Sequence, residues 1–410
     1  MKSKCRRAIA FFLVLTLIAV LCLSCGHKRQ GGPVVITLGF MSDYTGPGAM
    51  ALRTLNLAMN DFVRHINEDD PIPRVQIRLV TFDARFDPAR DVPGYDWCRG
   101  RGAELIITPQ HTTPDILKPF AERDKVPIFT WSSTASMLEP PGWVFCVGPT
   151  FYDLATTITK WLSEQWPYYD TMVPKIGAFG WAVSNNLDSV RAIKDFCQAH
   201  PDLFEYVGDS IMPAGTMSYG FGAIDKLKGC DYIFTTDVNA GSVSFLEGFL
   251  GHGYKTTWVS TDSFASGKGL YLDAVGWKGM DGTLTLFPTR WWNETTPIVE
   301  LAEELVHKYH PGEADDLIYQ GIGYVGSFHG MYCFFDILRQ AIAEVGAENF
   351  DGQAFYNAAA KFTAHYEGYR EWGYNETKRY LFSDLAAYKW SAENKDLVRV
   401  ADWLPLVEQP

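Results

Sequence analysis

The 410-residue chain is 47% hydrophobic and 20% charged, with 36 basic against 48 acidic residues and a formal net charge of −12. An acidic chain of this length excludes a general polyanion binder and holds two ordinary domains. Beyond residue 25 the cysteines are Cys98, Cys146, Cys197, Cys230 and Cys333. Their wide spacing, odd number and lack of a CxxC pair point away from a disulfide framework or a zinc site.

In chain order, Lys2, Lys4, Arg6 and Arg7 precede an apolar run at 8–23, which ends in Ser24, Cys25 and Gly26. This is the layout of a secretory signal, and about 16 apolar residues fall short of the roughly 20 a membrane span needs. The ending LCLSCG resembles a bacterial lipoprotein box. That implies a signal peptide at 1–24, lipidation of Cys25 and a polar tether at 25–33, with a plain cleaved signal or an uncleaved anchor as the alternatives. Removing 1–24 takes away four basic and no acidic residues, for a mature net charge of −16.

The body alternates strand-like and helical patterns. Residues 34–41 read as a strand and SDYTGPGA as a turn, after which Leu52, Leu55, Met59, Phe62 and Ile66 recur at helical spacing. Further strands are expected at 75–82 and 105–108. In PIFTWSSTA, 127–135, an apolar run breaks into Thr130, Ser132, Ser133 and Thr134. At the carboxyl end of a strand, such hydroxyls suit a carboxylate or other small anion, or else cap the next helix. A second series, strands at 175–179, 232–236 and 257–260 with helices at 190–199 and 243–250, implies a second α/β lobe.

Four segments, ITLGFMSDYTGPGA, PFAERDKVPIFTWSSTAS, CDYIFTTDVNAGSVSFL and WVSTDSFAS, stand in the order and spacing of type I periplasmic binding proteins of the branched-chain amino-acid family. The resemblance implies an α/β fold of two Rossmann-like lobes with mostly parallel sheets, joined by a three-strand hinge near 147–150, 283–288 and 368–375. Lobe 1 is then 34–148 with 286–375, and lobe 2 is 149–285 with 376–410. It also implies a non-enzymatic solute-binding component of an ABC importer, without cofactor or nucleic acid. Its expected partners are a small amino acid or carboxylate analogue, a permease and the membrane through a lipid anchor. A ligand-sensing receptor subunit or an exported enzyme on a related fold are the alternatives.

Carried over by position, the resemblance places the ligand carboxylate at Thr112, beside His111, and at Ser133 and Thr134. Phe151 and Tyr152 follow the first crossover, where ligand-facing side chains are common. Asp237 and Asn239 stand where relatives often carry Gly and an aromatic residue, and Asp262 matches the acid that pairs with the ligand ammonium. Each has a plainer reading: Asp262 as a helix N-cap, His111 as a structural histidine, Tyr152 and Trp181 as core.

Rival chemistry is weakly supported. GIGYVG at 321–326 fits GxGxxG without a convincing strand before it, and SGKG around Lys268 lacks the remainder of a phosphate loop. His307 and His310 share a helical face with Glu303 and Glu304, a pattern more often solvated than metal-binding. No GxSxG elbow occurs.

Overall fold

The computed structural model describes residues 32–366 and 372–407. The signal segment, Cys25 and most of the tether lie outside the described residues, as do 368–371 of the expected third crossover.

The first sheet is built from β1 (Val34–Ser42), β2 (Val75–Asp83), β3 (Ala103–Thr108), β4 (Ile128–Thr130) and β5 (Val144–Cys146). Its order is β2-β1-β3-β4-β5 and every pair is parallel. The near-continuous apolar runs of β1 and β3 follow from this, because a central parallel strand is covered on both faces. The helix Ala49–Glu68 buries Leu55, Met59, Phe62 and Ile66 in one stripe. That stripe meets the helix Gly323–Val345, where the Phe62 ring stacks on Phe335 at 5.3 Å and meets Phe328 edge-on at 5.2 Å.

The second sheet contains β6 (Lys175–Trp181), β7 (Glu205–Met212), β8 (Tyr232–Thr235), β9 (Thr257–Ser260) and β10 (Leu284–Phe287). After the two-residue pair β11 (Thr363–Ala364) and β12 (Trp372–Gly373), the strands β13 (Asp384–Ser391) and β14 (Asp396–Pro405) complete it. Its order is β14-β13-β10-β9-β8-β6-β7, parallel except where β13 pairs antiparallel with β10 and β14. Phe179 of β6 stacks on Phe245 of the helix Ala240–Gly251 with centroids 4.0 Å apart, tying that crossover helix to its sheet.

The chain passes between the sheets three times. The first passage leaves β5 through 147–150, and the second leaves β10 through Pro288 and Thr289. The third follows β12 and runs through 374–383, C-terminal to the expected 368–375. The first and third lie side by side: Cys146 N donates to Arg379 O at 2.8 Å, and Phe382 N to Val147 O at 3.1 Å.

Candidate functional site

Where the carboxyl ends of both sheets face each other they enclose a cavity of about 240 Å³. Open α/β sheets place ligands there because strand-to-helix loops and helix N-termini converge at that edge. Leu52, Leu55, Phe86, Trp131 and Ile322 wall it from the first sheet's side, and Phe151, Leu154, Trp181 and Val238 from the second's.

Polar groups are few, and their sign is lopsided. The lining includes two carboxylates, Asp237 and Asp262, and no lysine or arginine. His111 supplies no positive charge either: burial lowers its pKa to about 4, and its ring packs edge-on between Phe86 and Phe151. Buried polar atoms without partners cluster nearby, among them His111 Nε2, Trp131 Nε1 and Asn185 Oδ1.

Two long helices start at the cavity. The loop from Asp43 to Gly48 is pinned because the Asp43 carboxylate accepts from Gly46 N and Gly48 N at 2.5 and 2.7 Å, which aims the N-terminus of Ala49–Glu68 at the cleft. The helix Gly323–Val345 has no side-chain cap and brings Gly323 and Ser327 to the wall. Helix N-termini carry partial positive charge and stand in for missing cations.

The two carboxylates differ in availability. Asp237 is 4% exposed, and its oxygens accept from Asn186 Nδ2 at 2.6 Å and Trp181 N at 2.9 Å. Asp262 begins the short helix Asp262–Ser266 behind its N-cap, Thr261, and is accessible from the cavity. Desolvation raises the pKa of both carboxyls.

The residues expected from sequence are distributed as follows. His111, Phe151, Asp237, Asn239 and Asp262 line the cavity. Asn239 turns its side chain to Ser242 N at 2.9 Å in a capping box, so it works as a helix cap on the wall. Thr112, Ser133, Thr134 and Tyr152 do not line it. Thr112 holds the N-cap position of the helix Thr113–Asp124, and the preceding loop presents His111 to the cleft in its place. Ser133 is fully buried beside the Cys146 thiol, and its carbonyl accepts from Phe151 N at 3.2 Å. The Thr134 hydroxyl is taken up by Ser136 at 2.8 Å. Tyr152, one residue and about 100° of helix beyond Phe151, donates to Asp195 at 2.8 Å on the outer side.

Residues passed over include Trp131, Asn185, Thr236, Ser327 and Phe382, while Ser132 of the expected hydroxyl cluster is on the wall. Trp131 and Ser132 sit inside PIFTWSSTA, and Asn185 and Thr236 follow the ends of β6 and β8, where the strand-end rule could have found them. Ser327 and Phe382 arrive only through the second and third passages.

Among the described residues no helix is long and apolar enough to cross a membrane. No curated protein matches the sequence significantly. Among solved structures, the chain is similar to a branched-chain amino acid ABC transporter from Thermus thermophilus with bound valine. The identity is 14% over 91% of this chain and 97% of that one, with a TM-score of 0.78. It is similar at 15% identity to a fatty acid ABC transporter substrate-binding protein from Thermomonospora curvata, over 91% and 94% of the chains with a TM-score of 0.77. It is likewise similar, also at 15%, to an R. palustris solute-binding protein in complex with 4-hydroxybenzoate, over 91% and 97% with a TM-score of 0.74. These likenesses share the two-sheet fold, and a family model described as periplasmic binding protein matches residues 35–395. The chain belongs to the periplasmic binding protein family, non-enzymatic proteins that bind solutes.

Proposed function

We propose that this protein is the solute-binding component of an ABC importer, and that it captures a small amino acid or close analogue between a lobe of 34–148 with 286–375 and a lobe of 149–285 with 376–410. The observation that carries this reading is Asp262: an accessible but desolvated carboxylate in a cavity whose lining has no lysine or arginine. An opposite charge favours the ionised form of a carboxyl that its surroundings desolvate, so this wall favours a solute that brings an ammonium group. The solute's carboxylate is then met by Ser132 and the N-termini of Ala49–Glu68 and Gly323–Val345.

The apolar wall favours a second reading, an aromatic or aliphatic acid without an amine, as in the hydroxybenzoate and fatty acid proteins above. A thermal-shift screen with calorimetry separates the two, since saturation at about 100 times Kd adds roughly 2.7 kcal/mol of stability. The amino-acid reading expects an L-amino acid to stabilise the protein, its deaminated acid to bind much more weakly, and Asp262→Ala to erase that preference. Hits without an amine that bind Asp262→Ala unchanged would establish the second reading.

We further propose that Cys25 carries a lipid that holds the protein at the extracytoplasmic membrane face, on the basis of the LSCG ending. Labelled fatty acid should enter the wild type and not Cys25→Ser; equal fractionation with no label in either would refute it.

A further inference from the structure

The hydrogen bonds behind the cavity wall fix the direction of one polar group that no ligand contact has yet used. Asn186 lies between two backbone groups whose roles are invariant: its Nδ2 faces Trp181 O at 3.1 Å, and its Oδ1 faces Thr236 N at 3.2 Å. A carbonyl only accepts and an amide only donates, so the Asn186 amide has one orientation whatever the protonation state of its neighbour Asp237. The Thr236 hydroxyl, 2.7 Å from Asn186 Oδ1, must then donate to it. With its proton committed, Thr236 Oγ1 accepts from its other neighbour, which is Asn185 Nδ2 at 2.8 Å. Asn185 Oδ1 is thereby left as an acceptor, without a partner, on a side chain that is 7% exposed and forms part of the cavity wall.

We propose that Asn185 Oδ1 is a specificity-determining contact that accepts a hydrogen bond from a second donor on the solute, separate from the ammonium assigned to Asp262. This rests on the amino-acid reading above and narrows it: the solute is an amino acid whose side chain carries an N–H or O–H, such as an amide or phenol, and not a plain aliphatic or aryl group. The physical reason is the cost of closing a cleft over an acceptor that nothing meets. A solute supplying the donor removes that cost, while an isostere lacking it leaves the acceptor dry. Sites of this kind reject the donor-less analogue far more strongly than apolar pockets reject a missing methylene.

The test is calorimetry with two pairs, L-glutamine against L-methionine and L-tyrosine against L-phenylalanine, on wild type and on Asn185→Leu, with unchanged thermal unfolding of the unliganded variant as the folding control. In at least one pair the donor-bearing member should bind wild type about 20-fold or more tightly than its partner. In Asn185→Leu that ratio should fall to near one, with the donor-less member little changed. Equal binding of both members by wild type, or equal weakening of both by the substitution, would overturn the proposal and leave the amino-acid reading standing. Should all four fail to bind while benzoate or octanoate binds, the amino-acid reading falls and this proposal with it. If Asn185→Leu unfolds, Asn185→Ser, which removes the same acceptor in a smaller side chain, must show the same loss of ratio.

Discussion

The amide of Ile322 donates to the carbonyl of Ala265 at 3.0 Å, a backbone bond between a helix start that packs against the first sheet and the short helix that follows β9 of the second. Around it, Tyr319 OH donates to Asp273 at 2.9 Å, and the Lys268 ammonium lies 5.3 Å over the Tyr319 ring. On the lobe division proposed above, these contacts cross from one lobe to the other beside the cavity and would exist only while the two sides are together. A ligand shifts such an equilibrium only by its differential affinity, and lobe-to-lobe bonds set how much of that affinity is used in closing.

Loss of the Tyr319 hydroxyl should therefore weaken binding without touching the cavity. Tyr319→Phe removes one hydrogen bond worth about 1 kcal/mol, so Kd should rise about fivefold. Gly321→Ala should act more strongly. Gly321 has φ +132°, and a Cβ there would stand 1.9 Å from Ala265 O. Strain of about 1–3 kcal/mol, relieved by parting the lobes, predicts a loss of affinity of roughly 5- to 150-fold and a larger radius in small-angle scattering. Unchanged affinity in both variants would show that these contacts do not report closure.

Asp91 makes a second prediction, on stability. It is 1% exposed at the start of the helix Asp91–Arg99 and accepts from the Thr113 hydroxyl at 2.9 Å, yet desolvation raises its pKa to about 6. The folded chain thus holds a proton that the unfolded chain releases near its ordinary value of about 4. Between those values the folded state binds more protons, so Asp91 lowers stability as pH rises from about 4 through 6, by at most about 1.4 kcal/mol per pH unit. Asp91→Asn should remove that slope, and urea midpoints of both proteins across this range should diverge toward neutral pH, with the variant the more stable. Parallel curves would mean Asp91 ionises normally.

Much of the fold was legible because parallel strands and amphipathic helices leave periodic marks. Leu55, Met59, Phe62 and Ile66 announced their helix, and the runs of β1, β3, β8 and β9 announced strands buried on both faces. What escaped was short or two-sided. β5 is three residues long, and β14 is an edge strand on which Val398 and Val400 remain exposed, so neither has a clean apolar pattern. At the cavity the family pattern pointed to loops that reach the wall, but which of two neighbours lines it is set by loop geometry and helix phase. His111 and not Thr112, and Phe151 and not Tyr152, face inward. Asn185 could not be singled out, because its orphaned oxygen results from a chain of bonds through Thr236 and Asn186.

The five cysteines of the described residues are free and buried. Burial pushes the thiols of Cys98, Cys146, Cys197 and Cys230 up to about 12, and that of Cys333 higher still. Thiolate is the reactive form, so native protein at pH 8 should leave these five unlabelled by a thiol reagent, with all five reacting in denaturant. Fast native labelling of any of them, located by peptide mapping, would reveal local opening at that site.

The final prediction concerns proton release. Without solute, the Asp262 carboxyl is desolvated and its pKa lies above the usual aspartate range, so this group disfavours the folded state as pH rises through that raised value. A bound ammonium reverses the sign: it pairs with the carboxylate and pulls the pKa down, so binding expels a proton wherever the free protein is still partly protonated. Calorimetry between pH 5 and 8 in buffers of different ionisation enthalpy should then show proton release on binding. Affinity should fall with acidification at pH values above those at which an exposed aspartate, titrating near about 3.9, would matter. Asp262→Asn should bind more weakly and show neither effect. Proton-neutral binding by wild type across this range, with the same affinity in Asp262→Asn, would mean that no cation of the solute reaches this carboxylate.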